Sequence, residues 1–254
     1  MNVLLWISYK GTRYAGFQVQ ANGLTVCEVL QNAMQSVLGV RPDIKGCSRT
    51  DSGVHALRFA LNFCYDGHVP VEKLVSAFNA YLPPDIRALR AEPAAEDFHA
   101  RYAAHCKTYC YRIRNAAVDS PFEADTCHRV AGPLDLAAMR RTAAGFVGKH
   151  DFTALCAAGS SAAAHGDTVR TVTACRVESA CCADMPDGQM LTILVTADGY
   201  LYNMVRILAG TILAAGQHKF DPAAVPALLA GKDRRAAGPT LPAKGLFLQD
   251  IQYT

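Results

Sequence analysis

The chain has 254 residues, 51% hydrophobic and 19% charged, which is enough apolar material for a core and excludes disorder as the dominant state. Lys and Arg number 25 against 22 Asp and Glu, and the formal charge of +3 permits a nucleic-acid partner without demanding one. No apolar stretch approaches the roughly 20 residues of a membrane span, and the first residues carry no basic leader, so the expectation is a soluble, cytoplasmic protein with no membrane partner.

Residues 3–9 form a short apolar run of strand formers, followed by a Gly- and Gln-containing loop over 10–20. Thr25 precedes Glu28 at capping-box spacing, and Val26, Val29, Leu30, Ala33, Met34, Val37 and Leu38 recur at helical intervals before Gly39. Residues 43–48 read as a short strand. Residues 58–65 alternate, with Phe59, Leu61, Phe63 and Tyr65 on one face. A helix starts near Val71 and ends at Pro83-Pro84, and 86–92 is again strand-like. The order is β-α-β-β-α-β, the split βαβ arrangement.

The second half repeats that order. Strands are predicted at 106–114, 172–178, 190–196 and 246–251, and helices at 134–146 and 203–215, with an extra short helix after Asp221-Pro222. Residues 157–167 are small and polar and read as a mobile loop. The fold class is therefore α/β (α+β): two split-βαβ units, ferredoxin-like or RRM-like, with mainly antiparallel sheets. The expected boundary lies within 98–104, giving domains at 1–102 and 103–254. This architecture hosts many functions, single-stranded RNA binding among them.

The ten cysteines, at 27, 47, 64, 106, 110, 127, 156, 175, 181 and 182, include no Cys-x-x-Cys pair. A structural zinc site is not expected, and a chain with its own core has no need of a disulfide framework. Several sit inside apolar runs and read as small buried hydrophobes in a reducing compartment.

Four segments could carry chemistry. The first, Gly46-Cys47-Ser48-Arg49-Thr50-Asp51-Ser52-Gly53-Val54-His55-Ala56, is either a structural turn or a loop presenting a carboxylate beside an arginine and a histidine. A serine hydrolase built from Ser52, His55 and Asp51 fits poorly, because all three fall within one tight turn. The second spans 98–118, which holds no acidic residue while Arg101, Lys107, Arg112 and Arg114 interleave with Tyr102, Tyr109 and Tyr111. It reads equally as a solvated strand face or as a surface for phosphates and a stacked base. In the third, Gly199-Tyr200-Leu201-Tyr202-Asn203-Met204-Val205-Arg206, the arginine sits beside buried positions. It either snorkels or pairs with a carboxylate. The fourth, 238–248, is a rigid loop feeding a strand.

Together these segments resemble one family. Arg49-Thr50-Asp51-Ser52-Gly53-Val54-His55-Ala56 is similar to the catalytic motif of the TruA-type tRNA pseudouridine synthases. Tyr9-Lys10-Gly11-Thr12, Tyr14, Gly16, Gln18 and Gln20 resemble its N-terminal signature, and Asp97-Phe98-His99-Ala100-Arg101 with Lys107-Thr108-Tyr109-Cys110-Tyr111 its central one. Gly148-Lys149-His150-Asp151-Phe152, Thr168-Val169-Arg170-Thr171, Met204-Val205-Arg206 and Gly245-Leu246-Phe247-Leu248 follow in the family's order. Ser48, Ser52, Asp97 and Lys107 depart from the usual residues; only Lys107, where arginine is usual, gives up a capacity, that of bidentate phosphate binding.

The resemblance implies that Asp51 is the nucleophile in isomerising uridine to pseudouridine, in an active-site cleft between the two units. It implies that Arg206 pairs with Asp51, that Tyr109 stacks on the target base, that Arg49 holds the flipped nucleotide and that Leu246 lies under the base. Lys10, Arg13, Arg101 and Lys107 are candidate phosphate contacts, and Gln18 and His55 join them as candidate RNA-binding residues. The implied partner is the tRNA anticodon arm, at positions 38 to 40, and the implied assembly is a homodimer. No cofactor, nucleotide or metal is expected, in keeping with a sequence that lacks a dinucleotide fingerprint, a P-loop or metal-ligand spacing. A pseudouridine synthase for another RNA, and an RNA-binding protein of the same fold without catalysis, are the alternatives.

Overall fold

The computed structural model describes residues 1–182 and 184–253. In chain order the elements are β1 (Asn2–Tyr9), α1 (Val26–Leu38), β2 (Lys45–Gly46), β3 (His55–Cys64), α2 (Val71–Tyr81), β4 (Ile86–Ala94), β5 (Cys106–Asn115), β6 (His128–Val130), α3 (Leu136–Gly145), β7 (Gly148–Asp151), α4 (Ser161–Ala164), β8 (Val169–Cys182), β9 (Met185–Ala197), α5 (Met204–Gly216), α6 (Val225–Gly231) and β10 (Leu246–Gln252). The chain divides into two compact units, Met1–His105 with Phe247–Thr254, and Cys106–Leu246. The division falls slightly later than the expected 102/103 boundary. The last strand, expected to close the second domain, groups with the first, because β10 runs parallel to β3 with Phe247 opposite His55 and Leu248 opposite Ala56.

In the first unit the local signals act as read. Thr25 Oγ1 accepts the Glu28 N–H at 3.3 Å, and Gly39 ends α1 in the left-handed region at φ 71°. The strands run β4-β1-β3-β10, with β2 paired to β3. β1 is antiparallel to both β3 and β4. The strand that follows β2 in the chain thus sits beside β1, which is the split arrangement. Leu5, Ile7, Phe59, Leu61 and Phe63 are buried together with Leu30, Met34, Leu74 and Phe78 from the helices.

Two expectations need correction here. The strand at 43–48 shrinks to the two residues of β2. β3 does not alternate between buried and exposed, because Ala60 and Asn62 are buried as well. Asn62 explains it: its Nδ2 donates to Asn2 Oδ1 and to the Phe98 carbonyl, both at 3.0 Å, and its Oδ1 accepts the Ala100 N–H at 2.8 Å. Residues 98–100 therefore cover the face that the pattern leaves to water.

In the second unit β5, β9, β8 and β7 pair in that order, each antiparallel to the next, and β6 lies parallel to the end of β5. β9 again separates two strands that precede it in sequence. β6 and β7, too short to show a period, were not expected, nor was the one-turn α4 inside the segment read as a loop. Only Arg206 and Ala214 of α5 escape full burial, so this helix is apolar nearly all round and serves as the core of the unit. The cysteines mostly pack as hydrophobes; burial pushes the Cys27 and Cys127 thiols up to about 11 and the Cys175 thiol up to about 12.

The loop at 238–242 is pressed onto α5. A Cβ at Gly210 would stand 1.9 Å from the Pro239 carbonyl oxygen, and Thr211 Oγ1 accepts the Gly238 N–H at 2.9 Å. In an exposed helix, Gly to Ala stabilises by about 0.5–1 kcal/mol. Gly210→Ala is expected to do the opposite and destabilise by about 2 kcal/mol or more, since either backbone must move to admit the methyl. A thermal melt of the variant that is unchanged or raised would show that the loop is not seated on the helix.

Candidate active site

Residues 49–54 reverse the chain ahead of β3. The Val54 N–H bonds the Asp51 carbonyl at 3.2 Å, and Gly53 takes φ 77°, a left-handed value that favours glycine. The N-terminal loop grips this turn at several points. The Gly53 N–H and Ser52 Oγ both donate to the Tyr14 carbonyl at 3.3 Å, and the Phe17 N–H donates to the Thr50 carbonyl at 3.1 Å. The Tyr9 and Thr50 hydroxyls are hydrogen-bonded at 2.7 Å, buried. Gly11 donates its N–H to His55 Nδ1 at 2.9 Å, and a Cβ there would meet the Val54 carbonyl oxygen at 1.9 Å. Asp51 itself is partly exposed. The result is a partly exposed carboxylate on a backbone that has little freedom to move.

The sequence-predicted residues of this unit divide by environment. His55, expected among the RNA contacts, is 1% exposed and lies against the Phe247 ring, with centroids 4.6 Å apart. It is a pin between the N-terminal loop and β3, because its Nδ1 is taken up as an acceptor inside the core. Lys10, Gln18, Arg49 and Arg101 are exposed, as a phosphate contact must be. Arg13 is also exposed, but its Nε donates to Asp85 at 2.8 Å and Nη2 lies 2.7 Å from the same carboxylate. The Tyr14 hydroxyl donates to the other Asp85 oxygen at 2.7 Å, and burial together with Asp85 pushes it up to about 12. Asp85 offsets much of the positive charge that Arg13 would offer to RNA.

The second unit supplies Tyr109, Arg206 and Leu246. Tyr109, on β5, is 6% exposed and meets the Tyr200 ring edge-on at 4.9 Å. The Tyr200 hydroxyl lies 2.7 and 2.8 Å from the carbonyls of Lys107 and Val195, spanning the β5–β9 pair, and burial raises it well above a tyrosine's ordinary range. Tyr109 thus has one side of its ring fixed by a locked neighbour. Arg206 is half-buried, donating from Nε to the Leu241 carbonyl and from Nη1 to Asn203 Oδ1, each at 2.6 Å. A snorkelling arginine would carry its head into water, whereas this one is bound to the protein on two sides. Leu246 is buried at the start of β10.

The basic stretch at 98–118 is not one surface. Arg114 is 1% exposed and bonds Glu123 at 2.7 Å and Asp184 at 2.8 Å, so it clamps the loop after β5 instead of facing solvent. Lys107 is half-buried, whereas the Arg101 guanidinium lies outside, 5.8 Å from the Tyr102 ring. Asp85, Tyr200 and Asn203 were not singled out from sequence. Asp85 acts on a residue 72 positions away, which no spacing reveals. Asn203 stands three residues before Arg206, and that i, i+3 step on a helix start was the signal available.

Among the described residues no group of three His, Cys, Asp or Glu side chains could hold a metal ion, and no helix is long and apolar enough to cross a membrane. The first unit offers a held carboxylate and exposed basic residues, and the second, taken by itself, a held guanidinium and an aromatic ring. A carboxylate can attack, a guanidinium can orient an anion and a ring can stack on a base.

Comparison with known proteins gives the family. A family model described as tRNA pseudouridine synthase matches residues 6–103 and 142–254. Tyr109 falls between the two matched stretches. The chain is 40% identical over 252 residues to a protein of Thermoanaerobacter sp. (strain X514), covering 99% of each chain. It is 40% identical over 251 residues, again 99% of each chain, to proteins of Ruminiclostridium cellulolyticum and of Pelobacter propionicus. All three relatives are named tRNA pseudouridine synthase A. With a match across most of its length and full-length relatives at this identity, the chain belongs to the tRNA pseudouridine synthase family.

Proposed function

We propose that the protein converts uridine to pseudouridine at positions 38, 39 and 40 of the tRNA anticodon arm, with Asp51 as the nucleophile. The observation that carries this is the Asp51 turn: a partly exposed carboxylate held by backbone and buried side-chain bonds, in a member of this family. The reaction is an isomerisation. The bond from N1 of uracil to C1′ of the ribose breaks, the base turns, and a bond from C5 to C1′ forms. The proton leaves C5 and N1 gains one, so no oxidant, reductant or nucleotide is consumed. The carboxylate attacks covalently or assists elimination.

The other residues take the parts their chemistry suits. Arg206 pairs with Asp51 and keeps it ionised. Tyr109 stacks on the uracil, Leu246 lies beneath it, and Arg49 holds the nucleotide out of the helix against an unpairing cost of a few kcal/mol. Lys10, Arg101 and Lys107 contact phosphates. We assign the enzyme to the cytoplasm, as a homodimer. The anticodon-arm assignment is tested by incubating anticodon-arm RNA and ribosomal RNA fragments with the enzyme and measuring pseudouridine in each. Product in the ribosomal fragments alone would overturn it.

Asp51→Asn keeps the shape of the side chain and removes its charge. It is expected to abolish turnover while tRNA affinity stays within several-fold, measured by pseudouridine formation and by filter binding. A near wild-type rate would remove Asp51 from the chemistry.

Arg206→Ala leaves the carboxylate without its proposed partner. A carboxylate so placed escapes the penalty by binding a proton, so its pKa rises. Activity should therefore be very low at neutral pH and recover in part as the pH rises through the shifted value, with Arg206→Lys intermediate. A pH–rate profile identical to wild type would separate Arg206 from Asp51.

Binding should also respond steeply to salt. Phosphate contacts release counterions, so tRNA affinity is expected to fall by an order of magnitude or more between about 50 and 200 mM salt. Substituting Lys10 or Arg101 by Ala should reduce that slope, and Arg13→Ala should reduce it less, because Asp85 already holds Arg13.

A further inference from the structure

Asparagine is among the residues that best cap a helix, because its side-chain oxygen accepts an N–H from the first turn. Asn203 occupies the cap position of α5 and makes no such bond. Its backbone lies at φ 59°, ψ 9°, a left-handed conformation that asparagine adopts more readily than most residues with a side chain. The missing cap bond is explained by a single contact: Asn203 Oδ1 accepts from Arg206 Nη1 at 2.6 Å. The Nε edge of the same guanidinium is bound to the Leu241 carbonyl at 2.6 Å, and the Leu241 N–H donates to the Arg206 carbonyl at 3.3 Å. Leu241 belongs to the loop seated on α5 through Gly238 and Thr211. Both acceptors are thus anchored to the helix that carries the arginine. A planar guanidinium bonded at Nε and at one Nη has its plane and its direction set.

We infer that Asn203 is a positioning residue, whose amide oxygen fixes the plane of the Arg206 guanidinium and so orients the remainder of the fork. The inference rests on the proposed pairing of Arg206 with Asp51 and says what holds that arginine ready for it. The residue type matters. Aspartate would suit the positive end of the helix better and would bind the guanidinium more strongly. It would also neutralise Arg206 and compete with the carboxylate the arginine serves. A neutral amide holds the group and leaves its charge available.

The test uses the full chain with tRNA. Asn203→Gly removes the amide and relieves the left-handed backbone, so the protein should melt at or above the wild-type temperature. Its KM should stay within about threefold while kcat falls roughly ten- to a hundredfold, the range expected for one lost hydrogen bond to a charged group. Asn203→Asp should also fold and lose kcat. Placed on an Arg206→Ala background, Asn203→Gly should lower kcat no further, because the two act as one unit. Wild-type kcat in Asn203→Gly, or an equal loss on both backgrounds, would overturn the positioning role. If Arg206→Ala alone retains full activity, the failure lies with the proposed role of Arg206, and the inference falls with it.

Discussion

The structure around Asp51 depends on a single constraint: a partly exposed carboxylate stays in one place only if the turn that carries it is held. A loop residue with its own freedom would lose the orientation that covalent chemistry needs. Here the freedom is removed from beneath. The N-terminal loop supplies Tyr14 and Phe17 backbone groups to the turn, Gly11 closes on His55, and the Tyr9 hydroxyl meets Thr50 in the core. The loop and the turn are far apart in sequence, and each would be an ordinary surface segment without the other. Changes at Gly11 or His55 would therefore shift the backbone that carries Asp51.

The second unit solves the same problem with a helix. α5 is buried on nearly every side, so the one charged residue it carries has few places to go. Hydrogen bonds from Arg206 to Leu241 and Asn203 then choose among those places. In both units the group that bears charge sits on a backbone tied to buried residues, Thr50 and Val54 beside Asp51 and nearly all of α5 around Arg206. That is the economical way to keep a polar group still, since packing density resists displacement more strongly than isolated hydrogen bonds do.

The distribution of positive charge follows a related rule. A net charge of +3 on 254 residues is modest for a protein that handles RNA. Some of the arginines are not available for it: Arg114 is buried between Glu123 and Asp184, and Arg13 is bound to Asp85. Only the exposed ones are placed to contribute to the electrostatic share of binding, and counting basic residues along the chain overstates it. Whether a basic residue reaches solvent depends on which acidic residues the fold brings near it.

Much of the architecture was legible along the chain. Thr25 and Gly39 bound α1 through local cap interactions, the apolar run of α5 marks a helix, and the first round of β-α-β-β-α-β follows from period and punctuation. In the second half the same reading yields β5, α3, β8, β9, α5 and β10 without β6, β7 and α4. The Asp51 motif could be read because its residues are contiguous. Other features depended on contacts between distant segments. Asn62 is buried because residues 98–100 return over it, and β10 joins the first unit by pairing with β3. His55 is a buried pin where the motif made it look like a ligand contact. The sequence by itself determined the long helices and strands and the motifs that mark the family, since those depend on neighbours within a few positions. The tertiary structure alone decided which polar groups face solvent and which are held, because burial and hydrogen-bond partners are set by segments that meet only after folding.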